Sequence, residues 1–286
     1  MTRILGALLA FALSVLVLVC MGFAGAYQYL APEIPDAASL RDVKSQLPLR
    51  VYTRDGKLLA QIGEQRRIPV AFDEIPPVVI DAFLAAEDAR FFTHPGVDWQ
   101  SLVRALVANV SAGGVREGGG TITMQLARNT VLTSEKTLRR KLKEVFLAMR
   151  LEREFSKQEI LTLYLNRIFL GQRAYGIGAA SEVYFDKSVH DLTVAEAALI
   201  AGLPRSPSLD NPVADLTRAQ NRRAYVLRRM LELGKIDQAR HDAALDEPIS
   251  SRLHGPIIEI DAPYVAEMVR AEMVRQHGAD ALTAGY

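Results

Sequence analysis

The segment Glu87-Asp88-Ala89-Arg90-Phe91-Phe92-Thr93-His94-Pro95-Gly96 sets two adjacent acids at the end of an otherwise apolar stretch, AFLAAE. Glu87 falls four residues after Phe83, so a helix would carry both on one face. A carboxylate against an apolar wall is disfavoured in its charged form, which raises its pKa and suits it to acid–base work. A solvated Glu-Asp pair at a helix end fits the same residues. His94, ahead of Pro-Gly, reads as a brace for the turn through a ring hydrogen bond.

Two further stretches have chemical content. Residues 113–120 hold five glycines among eight positions, so the backbone there is unusually free. Exposed amides in this loop, helped by Arg116 or Arg128, would suit a phosphate. It is no nucleotide-binding loop, because the required Gly-Lys-Ser/Thr ending is missing; an ordinary mobile loop is the plain alternative. In Arg139-Arg140-Lys141-Leu142-Lys143-Glu144, the spacing places Arg140 and Glu144 on one helical face. Such a pair is usually a surface salt bridge worth roughly 0.3–0.5 kcal/mol. Four cations crowding one acid also make a cradle for a diphosphate. Two acids in contrasting settings are what sugar-transfer and sugar-cleavage sites exploit.

The elements that must position these groups are mostly helical. Pro76-Pro77 opens a helix through VVIDAFLAAEDARFF, and residues 137–155 form a long amphipathic helix. Ser156 with Glu159, and Thr193 with Glu196, fit capping boxes ahead of apolar runs. A further helix over 218–233 stops at Gly234. Before these, two β-prone stretches flank Asp55-Gly56 within 49–63, which predicts a hairpin.

The bulk composition bounds the rest. The chain has 286 residues, 34 Lys and Arg against 33 Asp and Glu, and a net charge of +1. That balance gives no footprint for a nucleic-acid binder. The single cysteine, Cys20, excludes an intrachain disulfide. Residues 4–30 carry no charged side chain, and about 20 helical residues cross a bilayer. Arg3 before the run, with Glu33 and Asp36 after it, places the N-terminus in the cytoplasm and residues 31–286 outside. A cleaved signal peptide ending near Ala24-Gly25-Ala26 is the competing reading. No cluster of metal-site type is evident.

Five blocks, in order, carry a resemblance to a known family. EDxxFxxHxG is met by Glu87, Asp88, Phe91, His94 and Gly96, and GGSTITQQLxxN by residues 118–129. RKxxE is Arg140, Lys141 and Glu144; residues 159–185 and 192–212 meet the last two blocks. The chain resembles the peptidoglycan glycosyltransferase domain of class A penicillin-binding proteins, of the penicillin-binding protein 1A type. The resemblance implies a mainly α, lysozyme-like fold with a small β-hairpin and an N-terminal transmembrane helix. It implies polymerisation of lipid II into β-1,4-linked glycan, with release of undecaprenyl diphosphate. Glu87 would be the general base and Glu144 the second essential acid. Asp88, Phe91, His94, Gly119, Thr121, Thr123, Gln125, Asn129, Arg140 and Lys141 would bind substrate or brace the cleft.

The same resemblance implies an inner-membrane, single-pass protein with its catalytic domain in the periplasm. Its partners would be lipid II, the growing glycan and the membrane, with a second copy and cell-wall synthesis regulators as further candidates and no nucleic acid. No cofactor would be required, with stimulation by a divalent cation left open. The expected organisation is a stub at 1–3, the anchor at 4–30, linker and hairpin at 31–64, and the transfer domain at 65–245. Residues 246–286 would lead toward a transpeptidase domain absent from this chain; no Ser-x-x-Lys, Ser-x-Asn and Lys-Thr-Gly set has supporting context. Departures from the family pattern are Gly120 for serine, Met124 for glutamine and Asp186 for glycine, the last at a left-handed turn that Asp tolerates. Phe91, Phe92, Val131 and Leu132 are candidates for contact with the bilayer interface. The enzymatic rival is a lytic muramidase of similar fold, and the non-enzymatic one a membrane-anchored scaffold.

Overall fold

The computed structural model describes residues 2–36, 48–63, 65–114, 118–131, 137–254 and 260–284. Arg116 and Leu132 lie outside that set. The apolar N-terminal run forms one helix, α1 (Thr2–Leu30), long and apolar enough to cross a membrane. Its 29 residues span about 44 Å at ~1.5 Å each, against a hydrocarbon layer of ~30 Å. Pro32 cannot extend the hydrogen-bond ladder, and the chain tightens into a 3-10 turn at Ala31–Glu33. Leu30 and Ile34 are buried in the main core.

The hairpin forms where the Asp-Gly signal predicts it. Strands β1 (Leu49–Tyr52) and β2 (Leu58–Ile62) pair antiparallel, and Gly56 supplies the positive φ of the turn, +85°. Leu49 and Val51 point inward while Arg50 and Tyr52 are exposed. Together with Leu59 they pack against Val269 and Met273 of a late helix, making a small second core. A short parallel pair, β3 (Arg66–Arg67) with β4 (Ala174–Tyr175), joins distant parts of the chain; its two-residue strands are too short to show a period.

The main body is helical: α2 (Pro77–Glu87), α3 (Trp99–Ser111), α4 (Ile122–Val131), α5 (Leu138–Glu154) and α6 (Lys157–Arg167) come first. They are followed by α7 (Ile177–Phe185), α8 (Val194–Gly202), α9 (Leu216–Glu232), α10 (Gln238–Asp246) and α11 (Pro263–His277). Helices α2, α8 and α9 pack on one another, and α4 packs against α5 and α6. Both capping boxes form, at Ser156–Glu159 and Thr193–Glu196. Asp186 ends α7 in the left-handed region, φ 54° and ψ 41°.

One boundary differs from the sequence expectation. Helix α2 does not continue through Phe92 but closes at Glu87, with Asp88 at φ −160°. The Asp88 carboxylate is committed to distant partners, described next, and the turn that brings it to them breaks the ladder.

Candidate active site

Glu87 ends α2 with its side chain 12% exposed. Gln125 of α4 donates from Nε2 to its Oε2 at 2.7 Å, and the Tyr164 hydroxyl donates to Gln125 Oε1 at 3.3 Å, orienting the amide. From α9, Arg222 Nη2 stands 3.7 Å from Glu87 Oε1. Arg222 is itself held, with Nε donating to the Gly202 carbonyl at 3.0 Å and its guanidinium 4.5 Å over the Tyr225 ring. Burial pushes the Glu87 carboxyl above the usual range; the Gln125 hydrogen bond, Arg222 and Arg128 pull the other way, and the balance stays raised. This is a carboxylate kept receptive to a proton.

Asp88 is used differently. Both its oxygens lie 3.0 Å from His94 Nε2, and Oδ2 accepts the Ile122 N–H at 3.1 Å. Ile122 opens α4, so the acid satisfies an otherwise orphaned amide at the positive end of that helix. His94 is thus the brace its position suggested. Thr121 donates to the Gly96 carbonyl at 2.5 Å and accepts the Met124 N–H at 3.2 Å, capping α4. Gly96 has φ +84°, and a Cβ there would stand 2.8 Å from Glu152 Cγ and 3.0 Å from the Ala148 carbonyl oxygen.

Below this turn, Thr123 donates to Glu152 Oε1 at 2.6 Å. Lys157 donates to Glu152 Oε1 at 2.9 Å and to the His94 carbonyl at 2.7 Å, with Nζ 4.4 Å over the Phe91 ring. Phe91, Thr121 and Thr123 are all buried. They hold the floor on which Glu87 and Gln125 stand; the expectation that Phe91 reaches the bilayer interface is corrected by its complete burial.

The second acid, Glu144 on α5, is 2% exposed at its side chain, with Arg140 donating to Oε1 and Lys141 Nζ donating to Oε2 at 3.0 Å. The expectation of four cations around Glu144 is corrected: Arg139 and Lys143 pair with Glu33. The triglycine 118–120 runs alongside. A Cβ on Gly119 would lie 2.6 Å from Leu102 Cδ2, so this backbone lies close against α3, and one on Gly120 would stand 4.0 Å from Lys141 Nζ. A serine would therefore fit at Gly120. Met124 is buried in the core, so glutamine's replacement there removes no hydrogen bond from the open side. Arg128 and Asn129 are exposed on α4.

Arg222, Tyr164 and Glu33 were not legible as site residues. Helix α9 carries five arginines, and only its packing across α2 and α8 selects the one that meets Glu87. On α3, Trp99, Val103, Val107 and Val110 form an exposed apolar stripe, spaced 4, 4 and 3 residues apart, and Phe92 is also half exposed. Among the described residues, no group of three or more His, Cys, Asp or Glu side chains is placed to hold a metal ion.

The transglycosylase sequence profile matches residues 55–231, a run that includes both acids and Arg222. The chain belongs to the transglycosylase family. Relatives of this transglycosylase include penicillin-binding protein 1A of Pseudomonas aeruginosa, 50% identical over 268 residues that cover 94% of this chain and 33% of that protein. Penicillin-binding protein 1A of Escherichia coli is 51% identical over 262 residues, 92% of this chain and 31% of that one. A crystal structure of penicillin-binding protein 1A from Haemophilus influenzae matches with a TM-score of 0.50 and 37% identity, covering 85% of this chain and 26% of that one. The transglycosylase chain thus spans about a third of the length of the relatives it matches.

Proposed function

We propose that this chain is a membrane-anchored peptidoglycan glycosyltransferase that polymerises lipid II into β-1,4-linked glycan on the periplasmic side of the inner membrane. The observation that carries the reading is Glu87, a nearly enclosed carboxylate with a raised pKa, framed by Gln125 and Arg222. Glu87 takes the proton of the acceptor 4-hydroxyl as that oxygen attacks the donor's anomeric carbon. The new O4–C1 bond forms as the bond from C1 to the diphosphate oxygen breaks, and the electron pair leaves with the polyprenyl diphosphate. Arg140 and Lys141, gathered at Glu144, supply cationic partners for that charge. A muramidase acting on neutral glycan has no use for them.

The apolar α1 tethers the site to the bilayer that holds the substrate. Its packing against α5 gives the helix a structural role in the mature chain, which favours retention over cleavage. The α3 stripe is a second membrane contact. We propose further that no metal is required, since Arg140 and Lys141 offer cationic partners to the diphosphate; polymerisation should persist in excess chelator, a slower rate there marking stimulation by a divalent cation and complete loss overturning the proposal.

The test of the main reading is incubation of the vesicle-reconstituted chain with lipid II, wild type beside Glu87→Gln, resolving products by length. Long glycan from the wild type alone supports it. Cleavage of preformed glycan in place of synthesis would replace it with the muramidase reading.

A further inference from the structure

Helix α5 brings four cations and one acid within its first two turns, and the fold divides them between two carboxylates. Arg140 and Lys141 bind the two oxygens of Glu144, while Arg139 binds Glu33 Oε1 and Lys143 Nζ binds Glu33 Oε2 at 2.5 Å. Glu33 stands three residues beyond the end of α1. The i, i+4 spacing explains the sorting: Arg139 and Lys143 share one side of the helix, and Arg140 and Glu144 the next.

Other contacts fasten the same junction. Arg150 Nη1 donates to the Ile34 and Pro35 carbonyls at 3.2 and 3.1 Å. Phe23 and Tyr27 meet the Phe146 ring edge-on, with centroids 4.9 and 5.2 Å apart. The Arg139 guanidinium lies 5.8 Å over Tyr29. The helix that carries Glu144 is therefore bound along its length to the end of the apolar span.

Resting on the glycosyltransferase reading, we infer that Glu33 is a positioning residue: it holds Arg139 and Lys143 away from Glu144 and fixes α5 at a set depth beside the membrane surface. The diphosphate of a bilayer-bound substrate sits at one depth, so the cations that meet it must be held at that depth too. Neutralising Glu33 removes the carboxylate that, among the described residues, pairs with both Arg139 and Lys143. Two unpaired cations then compete for Glu144 and for the diphosphate. Ground-state binding of the substrate is kept or tightened, while the register needed for transfer is lost.

The experiment measures kcat and KM for lipid II in vesicles for the wild type, Glu33→Gln, Glu33→Asp and the swap Glu33→Lys/Arg139→Glu/Lys143→Glu. Glu33→Gln should lower kcat roughly tenfold, within the range that small misplacements produce, with KM unchanged or lower. Glu33→Asp and the swap should each restore kcat to within about threefold of the wild type. Hydrogen exchange of the Leu138–Glu144 amides, which needs no activity, should quicken in Glu33→Gln and slow again in the swap.

A kcat for Glu33→Gln equal to wild type per folded molecule would overturn the inference. So would a swap that melts like the wild type and stays slow. If the wild type makes no glycan, the glycosyltransferase reading fails, and the exchange arm still decides whether Glu33 fixes α5.

Discussion

Glu87 meets one amide, one guanidinium and an apolar wall, while the carboxylate beside it is consumed by a ring nitrogen and a backbone N–H. That contrast predicts a pH profile. A base with a raised pKa works only once deprotonated, so kcat/KM should climb with pH on a limb set above the ordinary carboxylate range. Because Arg222 lowers the Glu87 pKa, Arg222→Gln should move that limb to higher pH; an unmoved limb would mean another group sets it. The same shift has a cost in stability. The folded state holds the Glu87 proton to higher pH than the unfolded chain does, so stability falls as pH rises from the unfolded value through the folded one. Glu87→Gln removes that fall and should melt above the wild type at pH 7, by about 2–4 °C for each kcal/mol relieved. The gap should close near pH 4, which paired thermal melts would read.

Elements set by local chemistry are legible in the sequence. The hairpin at Asp55-Gly56, the two capping boxes and the stop at Gly234 each depend on residues within a few positions of one another. The end of α2 was not readable, because it depends on Asp88 meeting Ile122, 34 residues on. The division of the α5 cations was hidden for the same reason: Glu33 is 106 residues from Arg139. At this scale Gly96 is the critical turn residue, joining a positive φ to a close approach on α5. Gly96→Ala forces both a left-handed alanine and a clash with the Ala148 carbonyl, and should destabilise by about 2–4 kcal/mol. Denaturant titration would measure it, and a loss under 1 kcal/mol would show that the turn relaxes.

Across the described residues, α1 and the α3 stripe each leave a row of apolar side chains uncovered. The family and the order of its blocks were legible, yet the stripe was not, because α3 lies outside those blocks and its exposed face is defined only by what fails to cover it. Trp99 lies on the stripe and is the only tryptophan in the chain, so it reports on this surface without added label. Its emission should shift to shorter wavelength in vesicles compared with a bilayer-free detergent-poor buffer, and brominated lipids should quench it. Emission that ignores brominated lipid would place the stripe away from the membrane.

A helix on a slack tether can spin in the bilayer and leave its cargo facing any way. With Phe23 and Tyr27 set against Phe146, α1 has no such freedom. The anchor acts as a keel: the body keeps one heading relative to the lipid plane, and under the proposed glycosyltransferase function successive glycan units would leave it on a constant bearing.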